Sequence, residues 1–353
     1  MPSRPPLRHV LLVRTDHLGD MLLTLPMASA LKAAWPDCRV SVLASAANAE
    51  AARHHPDVAH VELDALEAKG SGLRGIGPLV RQLRRLRCDA AVVVHPTPRL
   101  AGAVFLAGIP LRVGTAYRAY SWLFNCRVHE HRRRPPWRHE SEYNLNLLRP
   151  LGIEPVAAVA PQWQVAPQEA ASVAPLLAES AAAHTPLVVL HPGNAGSAMN
   201  WSPAQYAELG RRLGAVGARI AVTGSTSETP LTAQVATAVG AGTLDLGGRL
   251  TLPQLAAVLQ RCALYVGSAT GPTHLAAAVG TPVLALYSPL RSSVPQRWGP
   301  LGPRVTLLQP PLDLLCPRCL GADCPYYHCM ERHLTVDAAE DAARQMLGAG
   351  ERG

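Results

Sequence analysis

The chain has 353 residues, 48% of them apolar, which is too long for one ordinary core and rich enough for two. Lys and Arg number 33 against 25 Asp and Glu, a formal charge of +8 with a pI near 9.3, and this favours an acidic partner: a nucleotide, a phosphorylated lipid, an anionic membrane surface or nucleic acid. Nucleic acid is disfavoured because no zinc-finger, RRM or helix-turn-helix pattern occurs and aromatic residues make up 5%; with no apolar run of about 18 residues and no apolar leader after Met1, the expected location is cytoplasmic.

His9 to Arg14 is a short apolar run of the kind that forms a buried parallel strand. Thr15-Asp-His-Leu-Gly-Asp20 follows, then a helix predicted over Met21 to Ala34 with Pro26 in its first turns. The loop thus lies at the carboxyl end of the first strand, where open α/β sheets keep their chemistry. Gly19 can take a positive φ, leaving Asp20 either to cap the helix or to face the cleft. Further strands are expected at Arg39 to Ala44, within Pro56 to Leu63, and at Asp89 to His95, whose end, His95-Pro-Thr-Pro98, could touch an acceptor. Helices are expected over the Arg-rich Leu79 to Leu86 and over Ala101 to Ala107. His129 to His139 is a basic loop with two Pro, and His139 to Ile153 a helix closing the first domain.

Pro155 to Pro186 is rich in Ala, Pro and Gln, with a short strand expected near Trp163 to Val165 and a helix over Gln168 to Ala183. The domain boundary belongs here, giving domains 1–165 and 166–353. The second domain opens on a strand from Leu187, the loop His191-Pro-Gly-Asn-Ala-Gly196, and a helix from Pro203. Backbone N–H groups from Gly193 to Gly196 suit phosphate oxygens. A strand over Arg219 to Thr223 leads to Glu228, which either takes ribose hydroxyls or caps a helix. Leu244 to Leu246 and a helix over Leu252 to Arg261 follow.

Leu264 to Val266 then closes a strand, Ser268 to Thr273 turns, and His274 to Val279 forms an Ala-rich helix ended by Gly280 and Pro282 before a strand over Val283 to Tyr287. The unpaired N–H groups of such a helix start bind anions. Gly271 permits close approach, Thr270 and Thr273 add hydroxyls, and His274 adds a donor; the plainer alternative is a capped helix with a surface His. Cys316, Cys319, Cys324 and Cys329 form a C-x2-C-x4-C-x4-C array enclosing His328, either a structural zinc site or a reduced cap to the helix over Val336 to Leu347. Cys38, Cys88, Cys126 and Cys262 stand singly among apolar residues and are expected to be buried.

Four of these stretches, in order, resemble glycosyltransferase family 9, the bacterial lipopolysaccharide heptosyltransferases. They are Leu-Leu-Val-Arg-x-x-x-Leu-Gly-Asp ending at Asp20, the helix from His139, the His191-Pro-Gly to Trp201-Ser-Pro203 run, and Thr270-Gly-x-x-His-x-Ala-Ala-Ala278 with Pro282. Position 269 is Ala where many members carry Asp, and Met199 stands where members often carry Lys or Arg. The resemblance implies a GT-B fold of two Rossmann-like α/β domains whose parallel sheets face each other across a cleft. It implies an inverting glycosyltransferase that needs no metal for catalysis, moving a sugar, heptose from ADP-heptose first among them, onto a lipopolysaccharide-core or related glycan. Asp20 is then the general base, Thr270, Gly271, Thr273 and His274 cradle the donor diphosphate, and Gly193, Asn194 and Glu228 contact the nucleotide. The acceptor would be a phosphorylated glycolipid or glycan, met at the cytoplasmic face of the inner membrane by peripheral contact, with the basic 129–139 loop as a docking surface. The alternatives are a non-catalytic sugar-nucleotide-binding protein and a sugar-nucleotide epimerase of the same fold.

Overall fold

Strands rich in Val, Leu and Ala and buried on both faces are what a parallel sheet between two helix layers requires. Val10 to Val13, Val40 to Ala44 and Ala90 to Val93 are fully buried. The structure, a computed structural model, describes residues 6–64, 75–132, 137–154, 157–178, 185–194, 196, 199–289, 293–310 and 329–348. It divides into two compact units, Met1–Gln164 and Val165–Gly353.

The first unit carries strands β1 (His9–Val13), β2 (Arg39–Ala44), β3 (His60–Leu63), β4 (Ala90–Val93), β5 (Leu111–Thr115) and β6 (Cys126–Val128), all parallel, in the order β3-β2-β1-β4-β5-β6. The second repeats the plan with β7 (Leu187–His191), β8 (Arg219–Val222), β9 (Leu244–Asp245), β10 (Leu264–Ser268), β11 (Val283–Leu286) and β12 (Val305–Leu308), in the order β9-β8-β7-β10-β11-β12. Each is the doubly wound Rossmann order, in which the winding direction reverses between the first and fourth strands. β1 pairs β4 with Val13 opposite Val93, and β7 pairs β10 with His191 opposite Gly267. Ligands of such sheets bind beyond the carboxyl ends at this reversal. The loops after β1, β4, β7 and β10 are therefore the places to look for chemistry.

Several expectations shift in detail. The helix expected from Met21 to Ala34 is two, Leu18–Leu22 and Pro26–Ala34, because Pro26 has no N–H to continue the first and sits at the start of the second. Gly19 lies inside the first of these helices and has no positive φ. The helix closing the first unit is α-helical over Glu140–Leu145 and then tightens to a 3₁₀ turn over Asn146–Leu151, which contains Pro150. Trp163 to Val165 forms no strand; Trp163 instead stacks on His54 at 4.4 Å. The following helix spans Pro167–Ala178. Of the lone cysteines, Cys38, Cys88 and Cys262 are buried while Cys126, on the edge strand β6, is half-buried.

The last helix, Val336–Gly348, is fastened to Pro203–Ala215 of the same unit. Trp201 is almost wholly buried, packs edge-on to Tyr206 at 5.5 Å, and donates its indole N–H to the Leu334 carbonyl at 2.8 Å. Arg212 adds ion pairs to Asp337 (2.6 Å) and Glu340 (3.0 Å). Replacing Trp201 with Ala removes both the packing and the bond and is expected to cost about 3–5 kcal/mol in denaturant unfolding. A loss below about 1 kcal/mol would show that Trp201 does not anchor this helix.

Candidate active site

In the first unit, β1 delivers Arg14 into the interior just as the strand ends, and a buried guanidinium must be paired. Three carboxylates surround it. Asp16 accepts from its Nε at 2.7 Å, Asp20 accepts from NH2, and Glu140 stands 3.7 Å from NH1. Glu140 is itself held by Arg132 at 2.6 Å, and the same Arg132 nitrogen donates to the Asn144 amide oxygen at 3.1 Å. Asn144 in turn donates to the Leu23 carbonyl at 3.1 Å, tying the closing helix to the turn after Asp20. Asn48 donates to the carbonyls of Arg14 (3.4 Å) and Asp16 (3.3 Å), fixing the loop from the side of β2.

Asp20 is the third residue of the Leu18–Leu22 helix, whose N-cap position is His17; the capping alternative for Asp20 is thereby corrected. One of its oxygens is committed to Arg14, and the other has no hydrogen-bond partner among the described residues. Burial pushes its carboxyl up to about 6; Arg14 works against this, and the neighbouring charges of Asp16 and Glu140 reinforce it. Three acids crowd two guanidinium groups, so the last proton is held more tightly than an isolated Asp–Arg pair would hold it. His95, at the end of β4, has Nδ1 3.5 Å from Asp16, and burial lowers its pKa. The buried hydroxyl of Thr15 finds no partner among the described residues.

In the second unit, the N-cap of helix Gly271–Ala278 is Thr270, with Pro272 in the first turn. Gly271 is half-exposed at the helix start, whereas Thr270 and His274 are buried beside it. The surface-His alternative for His274 is corrected, since only 5% of it is exposed. Thr273 departs from its expected role too. Its hydroxyl donates to the Ser268 carbonyl and lies 3.2 Å from the Tyr265 hydroxyl, fully buried, so it locks the turn from within instead of reaching outward. The buried Ser268 hydroxyl, at the tip of β10, has no partner among the described residues.

Across from this turn, at the end of β7, Gly193 packs directly against the Glu228 carboxylate, and a Cβ at 193 would collide with it. Glu228 also accepts from the Ser225 backbone N–H at 2.9 Å and from its hydroxyl at 2.7 Å, so the capping alternative is realised. Its carboxylate nevertheless sits against the His191-Pro-Gly loop. His191 is buried, bonds Thr223 at 3.0 Å and stacks on Tyr265, and burial pulls its pKa down to about 4, so it is a neutral imidazole at neutral pH. Asn194 accepts from the Gly196 N–H at 2.9 Å, shaping the loop. Met199 packs on the apolar core of this unit.

The candidate residues therefore gather into two groups, one at each reversal point: Asp20 with Arg14 in the first unit, and Gly193, Asn194 and Glu228 beside Thr270, Gly271, Thr273 and His274 in the second. Glu140, Arg132 and Asn48 were not singled out by the sequence; only the proximity of a lone Arg to a strand end hinted that buried acids must lie nearby. Of the cysteine array, Cys316, Cys319 and Cys324 lie outside the described residues, and Cys329 begins a short helix, Cys329–Arg332, with its side chain buried.

A family model described as glycosyltransferase family 9 (heptosyltransferase) matches residues 76–329. Among relatives, lipopolysaccharide heptosyltransferase 2 of Escherichia coli K12 is 27% identical over 295 residues, 79% of this chain and 82% of the relative. Among solved structures, a glycosyl transferase family 9 protein of Veillonella parvula has a TM-score of 0.83 at 18% identity, covering 96% of this chain and 97% of that one. The Escherichia coli heptosyltransferase WaaC with ADP-2-deoxy-2-fluoro heptose has a TM-score of 0.70 at 20% identity, covering 96% and 99%.

A carboxyl whose folded pKa lies above its unfolded value favours the folded state only while it is protonated. The contribution of Asp20 is therefore present below about pH 4 and is lost as pH rises through about 6. Asp20→Asn is expected to be at least as stable as the native chain at pH 8, by as much as ~3 kcal/mol, and no more stable at pH 4. Denaturant unfolding at the two pH values checks this; a variant clearly less stable at pH 8 would mean that pairing with Arg14 outweighs burial.

Proposed function

Because the chain belongs to glycosyltransferase family 9, the heptosyltransferases, we propose that this glycosyltransferase of GT-B fold moves a heptose from ADP-heptose onto a lipopolysaccharide-core or related glycan, with Asp20 as general base. The observation that carries the reading is the Asp20 carboxyl, raised to about 6 at the carboxyl edge of the first sheet with one oxygen free of protein partners among the described residues. A base of that strength is ionised at neutral pH yet close enough to it to take a proton efficiently.

In the proposed reaction the acceptor hydroxyl loses its proton to Asp20 as its oxygen attacks the anomeric carbon of the donor sugar. The bond from that carbon to the diphosphate breaks with inversion, and ADP departs with the electron pair. Arg14 holds the carboxylate in place by one oxygen, leaving the other for the proton. On the second unit, the Gly271 N–H and the positive end of helix Gly271–Ala278, together with Thr270 and His274, receive the developing diphosphate charge. Thr273 supports that turn from within, and Glu228, set against Gly193, is placed for a nucleotide hydroxyl. The ADP-sugar analogue named with the WaaC structure supports an adenosine diphosphate donor. With Ala at 269 and the side chain of Met199 turned to the core, neither an acid nor a cation at those positions selects the sugar.

Two substitutions separate the roles. Asp20→Asn is expected to bind ADP as the native chain does while lowering turnover about 100-fold or more, and the native kcat/KM should rise with pH to a plateau with its midpoint near 6. His274→Ala should weaken ADP binding about 10- to 100-fold, as loss of a hydrogen bond to a charged group does. Calorimetry with ADP and steady-state kinetics with ADP-heptose and a core-glycan acceptor check both. Turnover of Asp20→Asn within a few fold of native would remove Asp20 as the base, and release of nucleotide without acceptor would favour a different reaction on the same fold.

A further inference from the structure

The net charge is distributed unevenly. The first unit carries 21 Lys and Arg against 13 Asp and Glu, which accounts for the whole excess of +8, while the second carries 12 of each. On this basic unit, large apolar side chains stand in solvent. Trp122 is 67% exposed, Leu106 49% and Phe105 40%. Such residues scattered singly need no explanation, but Phe105 and Trp122 are in contact and Leu106 follows Phe105 in the chain. Phe105 ends the helix Pro98–Leu106, and its ring meets Trp122 edge to face at 5.9 Å. Arg112 lies over the Phe105 ring at 5.3 Å and donates to the Leu123 carbonyl at 3.0 Å, and Arg84 donates to the Leu106 carbonyl at 2.9 Å. Arg84 belongs to the helix Ile76–Leu86, which packs against Pro98–Leu106 and also exposes Arg81 and Arg85.

We infer that the face formed by Phe105, Leu106 and Trp122 with Arg84 and Arg112 docks the first unit onto an anionic lipid bilayer. Trp and Phe are the side chains that settle at the boundary between headgroups and acyl chains, and arginines beside them meet lipid phosphates. Each cation near such a surface strengthens attachment about fivefold. A second copy of the chain fits the face less well, because two units of charge +8 would be brought together. No helix among the described residues is long and apolar enough to cross a membrane, so attachment here lies in the interfacial plane.

Docking of this kind needs neither donor nor acceptor, so its test is independent of sugar transfer. The full chain is sedimented with vesicles containing roughly 30% phosphatidylglycerol in phosphatidylethanolamine, and with vesicles of phosphatidylcholine alone. Binding is expected to the anionic vesicles only, to fall with added salt, and to drop about tenfold or more in the double variant Trp122→Ser, Leu106→Ser, whose melting temperature and ADP binding stay as in the native chain. Arg84→Glu should weaken it by several fold. Three results would overturn the inference: a native chain left in the supernatant with anionic vesicles, a double variant that sediments as the native chain does, or a concentration-dependent dimer that the double variant abolishes.

Discussion

One buried cation organises the first unit. Arg14 leaves the end of β1 with almost no access to water, and a guanidinium in that position must be surrounded by acids or it would not be tolerated. Asp16, Asp20 and Glu140 converge on it from the loop after β1 and from the helix that closes the unit. Taking Asp20 out of water raises its carboxyl to about 6; Arg14 opposes the rise, and the charges of Asp16 and Glu140 add to it. Arg132, Asn144 and Asn48 act on this centre by holding its members in register, and their bonds reach across as many as 121 positions of sequence.

The second unit solves a different problem with the same sheet. In the proposed reaction it admits an anion close to the backbone, with small residues and helix geometry instead of a dense charge cluster. Gly193 is pressed against Glu228, Gly271 opens the helix, and Thr273 spends its hydroxyl holding the turn together. His191 behind the turn is buried and neutral. In the proposed reaction donor recognition and proton removal fall to separate units, each at its own reversal of strand order.

Much of this was legible in the sequence because parallel strands buried on both faces announce themselves as unbroken apolar runs. His9 to Val13, Leu187 to Leu190 and Val283 to Leu286 are of this kind, and locating their carboxyl ends located the loops that matter. β5, β6 and β12 escaped notice because Arg112, Arg127 and Thr306 interrupt short, partly exposed strands towards the sheet edges. Asp20 could not be separated from a helix cap in the sequence, since its burial and its neighbour Glu140, 120 positions away, come only with the fold. The inward turn of Thr273 was hidden for a similar reason: its partner is a carbonyl five residues back, and spacing alone does not say which way a hydroxyl points.

The proton on Asp20 itself can be followed directly. Carbon-13 NMR of the chain labelled at Asp side-chain carboxyls, with the Asp20 signal identified by its absence in Asp20→Asn, reports the titration without relying on turnover or stability. The carboxyl is predicted to titrate with a midpoint near 6 in the free protein. A midpoint at or below the ordinary value of about 3.9 would contradict a carboxyl raised by burial against the pull of Arg14.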